Sequence, residues 1–217
     1  MRTFRILSLI LGCTLFAFQV VIAQKISGQG PTVKQTLSVD NFDAIGLSIS
    51  ATVYLTKGPN SVSIEAQQNI IDNIKTEVKG NSWDIEFDKR VSNHSDITIY
   101  IAMPKITSLA IGGSGEIIGK STFNGLGDVS LAIGGSGTIE LVGTAKEVEI
   151  SIAGSGDVKT AGLKAENCEV SIAGSGDAYI EVQNDLDVSI AGSGDVHYKG
   201  TPKVSSSVAG SGSVKSM

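Results

Sequence analysis

The chain has 217 residues, with 26 glycines, 41% apolar residues and only 5% aromatic ones, a balance that favours short strands and tight turns over long helices. Its 17 basic residues face 22 acidic ones, for a formal net charge of −5. That sign argues against nucleic acid and anionic lipid as partners.

Arg2 and Arg5 precede a mostly apolar run from Ile6 to Ile22, and Val21-Ile22-Ala23 ends on a small residue. This predicts a signal peptide over residues 1–23, cut after Ala23, and so export to the periplasm, the outer surface or the extracellular medium. The run is too short and too abruptly ended to favour a permanent membrane span. Ile10-Leu11-Gly12-Cys13 also loosely resembles a lipoprotein box, and lipidation of Cys13 would be the route to membrane association. Without the two leading arginines, 15 basic residues face 22 acidic ones, a net charge of −7, and Arg90 is the sole arginine left. A lone arginine weakens any phosphate or carboxylate clamp. Cys168 then has no cysteine to pair with, so stability must come from core and backbone ladders.

Residues 24–35, with Gly, Gln and Ser, are expected to form a flexible leader. Residues 36–105 read as an irregular β cap. Ile45-Gly46-Leu47-Ser48-Ile49 and Val53-Tyr54-Leu55 alternate at period two, Lys57-Gly58-Pro59-Asn60 marks a turn, and Val62-Ser63-Ile64 resumes the alternation. From Asn69 to Val78, the spacing of Ile70, Ile71, Ile74 and Val78 predicts about two turns of helix, broken at Gly80-Asn81. Trp83, Ile85 and Phe87 then alternate as a strand, as do Ile97, Ile99 and Ile101; Trp83 and Phe87 are expected in the core.

Residues 106–217 are a repeat array. Ile111-Gly112-Gly113-Ser114-Gly115 recurs from Ile133, Ile152, Ile172, Ile190 and Val208, at spacings of 22, 19, 20, 18 and 18 residues. Such periods suit one solenoid coil per repeat. Two residues before the Ile column stand Leu109, Leu131, Ile150, Val170, Val188 and Ser206, and two earlier Thr107, Val129, Val148, Cys168, Leu186 and Val204. The intervening positions are polar or small, so one face is buried and the other wet. Cys168 therefore reads as a buried small hydrophobe. In the last copy Ser206 replaces an apolar residue, which suits a terminal coil but leaves an edge to be protected or paired. The predicted fold is all-β: a short right-handed parallel β-helix or solenoid with an irregular β N-terminal cap.

The succession Phe42-Asp43-Ala44-Ile45, Val53-Tyr54-Leu55, Trp83-Asp84-Ile85-Glu86-Phe87, Ile97-Thr98-Ile99-Tyr100-Ile101-Ala102-Met103-Pro104 and the repeated Ile-Ala-Gly-Ser-Gly-Asp resembles the auto-transporter adhesin head domain, or GIN domain, from Phe42 to the C-terminus. The resemblance implies an exported all-β protein with a β-helix-like fold. It supplies no catalytic motif.

After each corner stands Glu116, Thr138, Asp157, Asp177, Asp195 or Ser213. Stacked aspartates would repel by roughly 1 kcal/mol even in water. Calcium at Asp157, Asp177 and Asp195 is one way to relieve this, but the ion needs 6–8 oxygens, and one acid per coil does not supply them. The alternative, in which each carboxylate accepts corner amide hydrogens, is preferred. Carboxylates about 5 Å apart would also suit a retaining glycosidase. Yet the acids sit in a repeated turn, and no nucleophile, base and orienting acid come together, so the chain reads as a non-enzyme without a cofactor. Two residues after the Asp column come Ile118, Glu140, Lys159, Tyr179, His197 and Lys215. Lys159, Tyr179 and His197 would form an exposed stripe able to meet a cell-surface glycan or protein. The expected function is an exported non-catalytic binding module. The alternatives are an assembly element that pairs, or oligomerises, through its exposed terminal coil, and a carbohydrate-active β-helix enzyme.

Overall fold

The computed structural model describes residues 25–217; the signal-peptide reading of residues 1–23 and Cys13 lie outside them. The chain begins with β1 (Ile26–Ser27) and β2 (Thr32–Leu37), followed by β3 (Ala44–Leu47), β4 (Thr52–Lys57) and β5 (Ser61–Gln67). A single helical turn, α1 (Gln68–Ile71), precedes β6 (Val78–Lys79), β7 (Ser82–Ile85), β8 (Val91–Asn93) and β9 (Thr98–Met103). The array then comprises β10 (Ser108–Ile111), β11 (Glu116–Gly135), β12 (Thr138–Gly154), β13 (Asp157–Gly174), β14 (Ala178–Gly192), β15 (Asp195–Lys199), β16 (Lys203–Gly210) and β17 (Ser213–Ser216).

These elements build an all-β solenoid of about five turns. In each coil a strand on the first face leads through the Gly-Ser-Gly corner to a strand on the second face. A return then leads to the next coil. β11 to β14 are long because each runs from the second face through its return to the next first face. The pairing is parallel and in register, so like stacks on like. Leu131 pairs with Ile150, Ile150 with Val170 and Val170 with Val188. Cys168 lies between Val148 and Leu186 and is buried. Register shifts in the array fall in the returns, between Ile118 and Thr122, Phe123 and Leu126, Glu140 and Val142, Thr160 and Lys164, and Ala165 and Asn167. Variable coil length is thus absorbed there while both faces keep their register. The returns still bury Phe123, Leu141, Leu163 and Ile180, and each such side chain contributes about 1.5–3 kcal/mol against leaving it in water.

Two different constraints explain the corner glycines. The first Gly of Gly-Ser-Gly has φ of 136° at Gly154, and a Cβ there would lie 2.3 Å from the Gly135 carbonyl oxygen in the coil below. The second, such as Gly156, is constrained by stacking: its Cβ would come 2.5 Å from the Gly137 oxygen. Close backbone approach between coils therefore requires both.

The N-terminal half carries the same columns. Ile45 pairs with Leu109 on one side and Trp83 on the other, which extends the inward column through β3 and β7. On the second face the order is β2-β5-β9-β4-β11, with β9 inserted between β4 and β5, the two arms of the hairpin that turns at Lys57-Gly58-Pro59-Asn60. Asp43, just before β3, receives bonds from the residues that precede its neighbours: Thr107 Oγ1 donates to its carboxylate at 2.9 Å and Asn81 Nδ2 also donates, while Lys105 Nζ lies 2.6 Å away. Trp83 is fully buried, tilted against Phe42 at 5.5 Å, and donates Nε1–H to the Lys75 carbonyl at 3.0 Å. Phe87 is only partly buried at the core's margin.

Two expectations are corrected. Within the expected flexible leader, the described residues from 25 on form strands: β1 pairs with β8, and β2 pairs antiparallel with β5 along its whole length. Backbone hydrogen bonds add β2 to the edge of β5, and the alternation turns Val33 and Leu37 toward the core. The helix predicted from Asn69 to Val78 is limited to Gln68–Ile71. Ile70, Ile71 and Ile74 are buried, but the Lys75 amide bonds to Glu86 O, Ile74 bridges to Phe87, and Val78 pairs with Trp83. Backbone pairing with a nearby strand thus takes over from helix periodicity.

Candidate binding surface

On the second face, side chains alternate along each strand, with Ile117, Ile139, Val158, Ala178 and Val196 pointing inward and their neighbours outward. The outward column stacks Tyr100, Tyr54, Ile118, Glu140, Lys159, Tyr179, His197 and Lys215 on successive strands. Its seven strand spacings make a ladder roughly 34 Å long. Lys159, Tyr179 and His197 occupy adjacent rungs. Lys159 Nζ lies 3.8 Å from Glu140 Oε1. The rings of Tyr179 and His197 are stacked, with centroids 4.9 Å apart and planes 10° from parallel. That spacing matches the strand separation, as side chains stacked rung on rung in one column require.

Tyr54 and Tyr100 at the other end were missed by sequence reasoning. Their rings lie 5.7 Å apart, with Lys120 Nζ 4.7 Å from the Tyr54 centroid and Lys34 Nζ 4.2 Å from that of Tyr100. These rings therefore carry ammonium groups on their faces. The available signal was the likeness of Val53-Tyr54-Leu55 to Ile99-Tyr100-Ile101 and to Ile117-Ile118. It lacked the Gly-Ser-Gly marker that aligned the repeats. Two open depressions adjoin the ladder. One, of about 330 Å³, is bordered by Tyr54, Tyr100, Ser61, Ser63 and Lys120. The other, of about 650 Å³, is bordered by Glu140, Val142, Lys159, Gly162 and Tyr179, with Val142 46% exposed.

The aspartate column lies beside this ladder. Asp157 Oδ1 accepts the Asp177 amide hydrogen at 3.3 Å, Asp177 Oδ1 accepts that of Asp195 at 2.8 Å, and Asp195 Oδ1 accepts the Ser213 hydroxyl hydrogen at 2.6 Å. The Ser213 hydrogen bond is the main reason the Asp195 carboxyl lies below its usual range. Each acid thus stitches its coil to the next, which answers the stacking repulsion without requiring a cation. Among the described residues no group of three or more His, Cys, Asp or Glu is placed to hold a metal ion.

The other chemically capable groups do not converge. Burial first, and then the Glu169 charge, push the Cys168 thiol up to about 12, so it carries no nucleophilic thiolate. His94 lies edge-on to Phe87 at 6.0 Å, with its Nδ1 2.7 Å from the Ser95 carbonyl oxygen, on a different segment from His197. Arg90 precedes β8, away from the aspartates.

A family model described as "Putative auto-transporter adhesin, head GIN domain" matches residues 41–202. Solved structures share the fold. A putative adhesin from Bacteroides fragilis is 22% identical, with a TM-score of 0.72 over 88% of this chain and 100% of that one. A putative lipid binding protein from Parabacteroides distasonis is 24% identical, with a TM-score of 0.57 over 89% and 100%. A putative adhesin from Parabacteroides merdae is 20% identical, with a TM-score of 0.56 over 90% and 100%. No curated protein sequence matches this one.

Proposed function

Since the chain belongs to the auto-transporter adhesin head GIN domain family, we propose that it is an exported, non-catalytic binding module that holds an extended neutral glycan along the second-face ladder. The observation that carries this reading is the unbroken run from Tyr100 to Lys215 across both halves of the molecule. Hydroxyl, imidazole, ammonium and carboxylate groups recur there at the strand spacing, a mixed set of donors and acceptors suited to many hydroxyls along one polymer. Asp157, Asp177 and Asp195 flank the ladder and oppose a polyanion. An extended peptide would instead favour a free strand edge or an apolar groove, and the middle of this face is paired on both sides.

The test is binding of residues 24–217 to a glycan and matrix-protein array, with calcium and with chelator. A neutral glycan is expected to bind in both conditions. Tyr179→Ala with His197→Ala, and separately Tyr54→Ala with Tyr100→Ala, should each weaken it about tenfold or more, the size of a lost anchoring contact. Binding that survives both double substitutions removes the ladder as the site. Calcium-dependent binding would return the aspartates to consideration, and a protein hit with no glycan hit would overturn the ligand class.

A further inference from the structure

The two ends of the solenoid differ. At the N-terminal end the first face is closed by β7 and the antiparallel β6, with Ile70, Ile71 and Ile74 buried beside them. The second face closes with β5, which runs antiparallel to the coils, and with β2 beyond it, where Lys34 places a charge on the outer strand. On the first face the outer strand β6 is antiparallel and two residues long, so it offers no parallel, in-register strand to another coil. At the opposite end, among the described residues, β16 pairs with β14 alone, and its other edge bears amides and carbonyls without a strand partner. The inward columns also emerge there. Val204 is 37% exposed and Val208 41%, whereas Leu186 and Ile190, one coil below, are each 1% exposed.

We infer that β16 is a self-association edge, at which two copies of this chain pair tail to tail, antiparallel, about a two-fold axis through Ser206. The strand is self-complementary in that register. Val204 of one copy faces Val208 of the other, Ser205 faces Ser207, and the two Ser206 side chains face each other. The pairing covers both exposed valines, satisfies the open backbone edge, and lets one Ser206 hydroxyl donate to the other. This also gives a reason for a serine in an otherwise apolar column: at the axis it meets its own copy. Because the contact uses the β16 edge of both copies, association through it stops at two, as an isologous contact requires. The inference is independent of the glycan reading, although two ladders per particle would raise avidity for a polymer.

Sedimentation velocity across a concentration series tests it directly: the mass should double as concentration rises. Mild oxidation of Ser206→Cys should give a disulfide-linked dimer, because cross-strand partners on an antiparallel axis fall within disulfide reach. Ser205→Cys, offset from its own copy, should cross-link far less. In residues 24–217 the other cysteine, Cys168, is buried and gives no background. Val204→Lys with Val208→Lys should give a monomer with an unchanged circular dichroism spectrum. A wild-type chain that stays monomeric to its solubility limit overturns the inference. So does a dimer that survives the double lysine substitution, equal cross-linking at 205 and 206, or a ladder of trimers and larger species.

Discussion

A single methyl group decides whether a corner residue is tolerated. At Gly154 an added Cβ meets the Gly135 carbonyl oxygen at 2.3 Å in backbone with φ of 136°, so Gly154→Ala should lower stability by about 1–3 kcal/mol. At Gly134 the nearest atom to an added Cβ is the Ile111 oxygen at 3.8 Å, and the later coils already have Ala153, Ala173 and Ala191 in that column. Gly134→Ala should therefore leave the urea midpoint unchanged or slightly raised. Asp43 makes a pH-dependent contribution. Partial burial works against its charge, but hydrogen bonds from Lys105, Thr107 and Asn81, with the Lys105 charge, hold its carboxyl below the ordinary 3.8. A depressed folded value stabilises above the unfolded one and is lost as pH falls through the folded one. The melting-temperature gap between wild type and Asp43→Asn should thus be widest near neutrality and close below about pH 3.8. A constant gap would mean that packing, not charge, makes the difference.

At the level of the strand, register that stacks like on like also stacks like charges. Glu149, Glu169 and Asp187 are directly paired on the outward side of the first face. Like charges in opposed positions cost stability, and opposite charges contribute about 0.2–1 kcal/mol per pair. Glu169→Lys should therefore raise the midpoint, and added salt should stabilise wild type more than the variant. The aspartate column escapes this cost because its carboxylates accept hydrogen bonds from the next coil. Both columns could be listed from the repeat alignment. Amide hydrogens were the expected partners of the aspartates, but that the donor belongs to the next coil depends on rotamers at a corner.

For the molecule as a whole, stability is passed from coil to coil, and the two ends are unequal. Amide exchange should be fastest in β16 and β17 and slowest in β3, β4 and β10, which lie between the N-terminal closure and the array. Protection of β16 equal to that of β10 at low protein concentration would contradict this gradient. Solenoid, repeat register and the buried Cys168 were legible because each recurs, so a column is read many times. The Lys159–Tyr179–His197 juxtaposition was legible for the same reason. The N-terminal half gave a weaker signal. β9 enters a hairpin formed earlier in the chain, so neighbours in space are not neighbours in sequence, and Tyr54 and Tyr100 were not seen as rungs of the same ladder. The strand character of 26–37 was hidden as well, since the edge that stabilises it belongs to β5 and β8. Period-two alternation and glycine spacing by themselves determined the all-β class, the stacked coils and the inward columns, because they are local consequences of backbone geometry. Strand order at the N-terminal end, the strand pairing of residues 26–37 and the full length of the ladder were decided only by tertiary structure, because each depends on pairings between segments far apart in the chain.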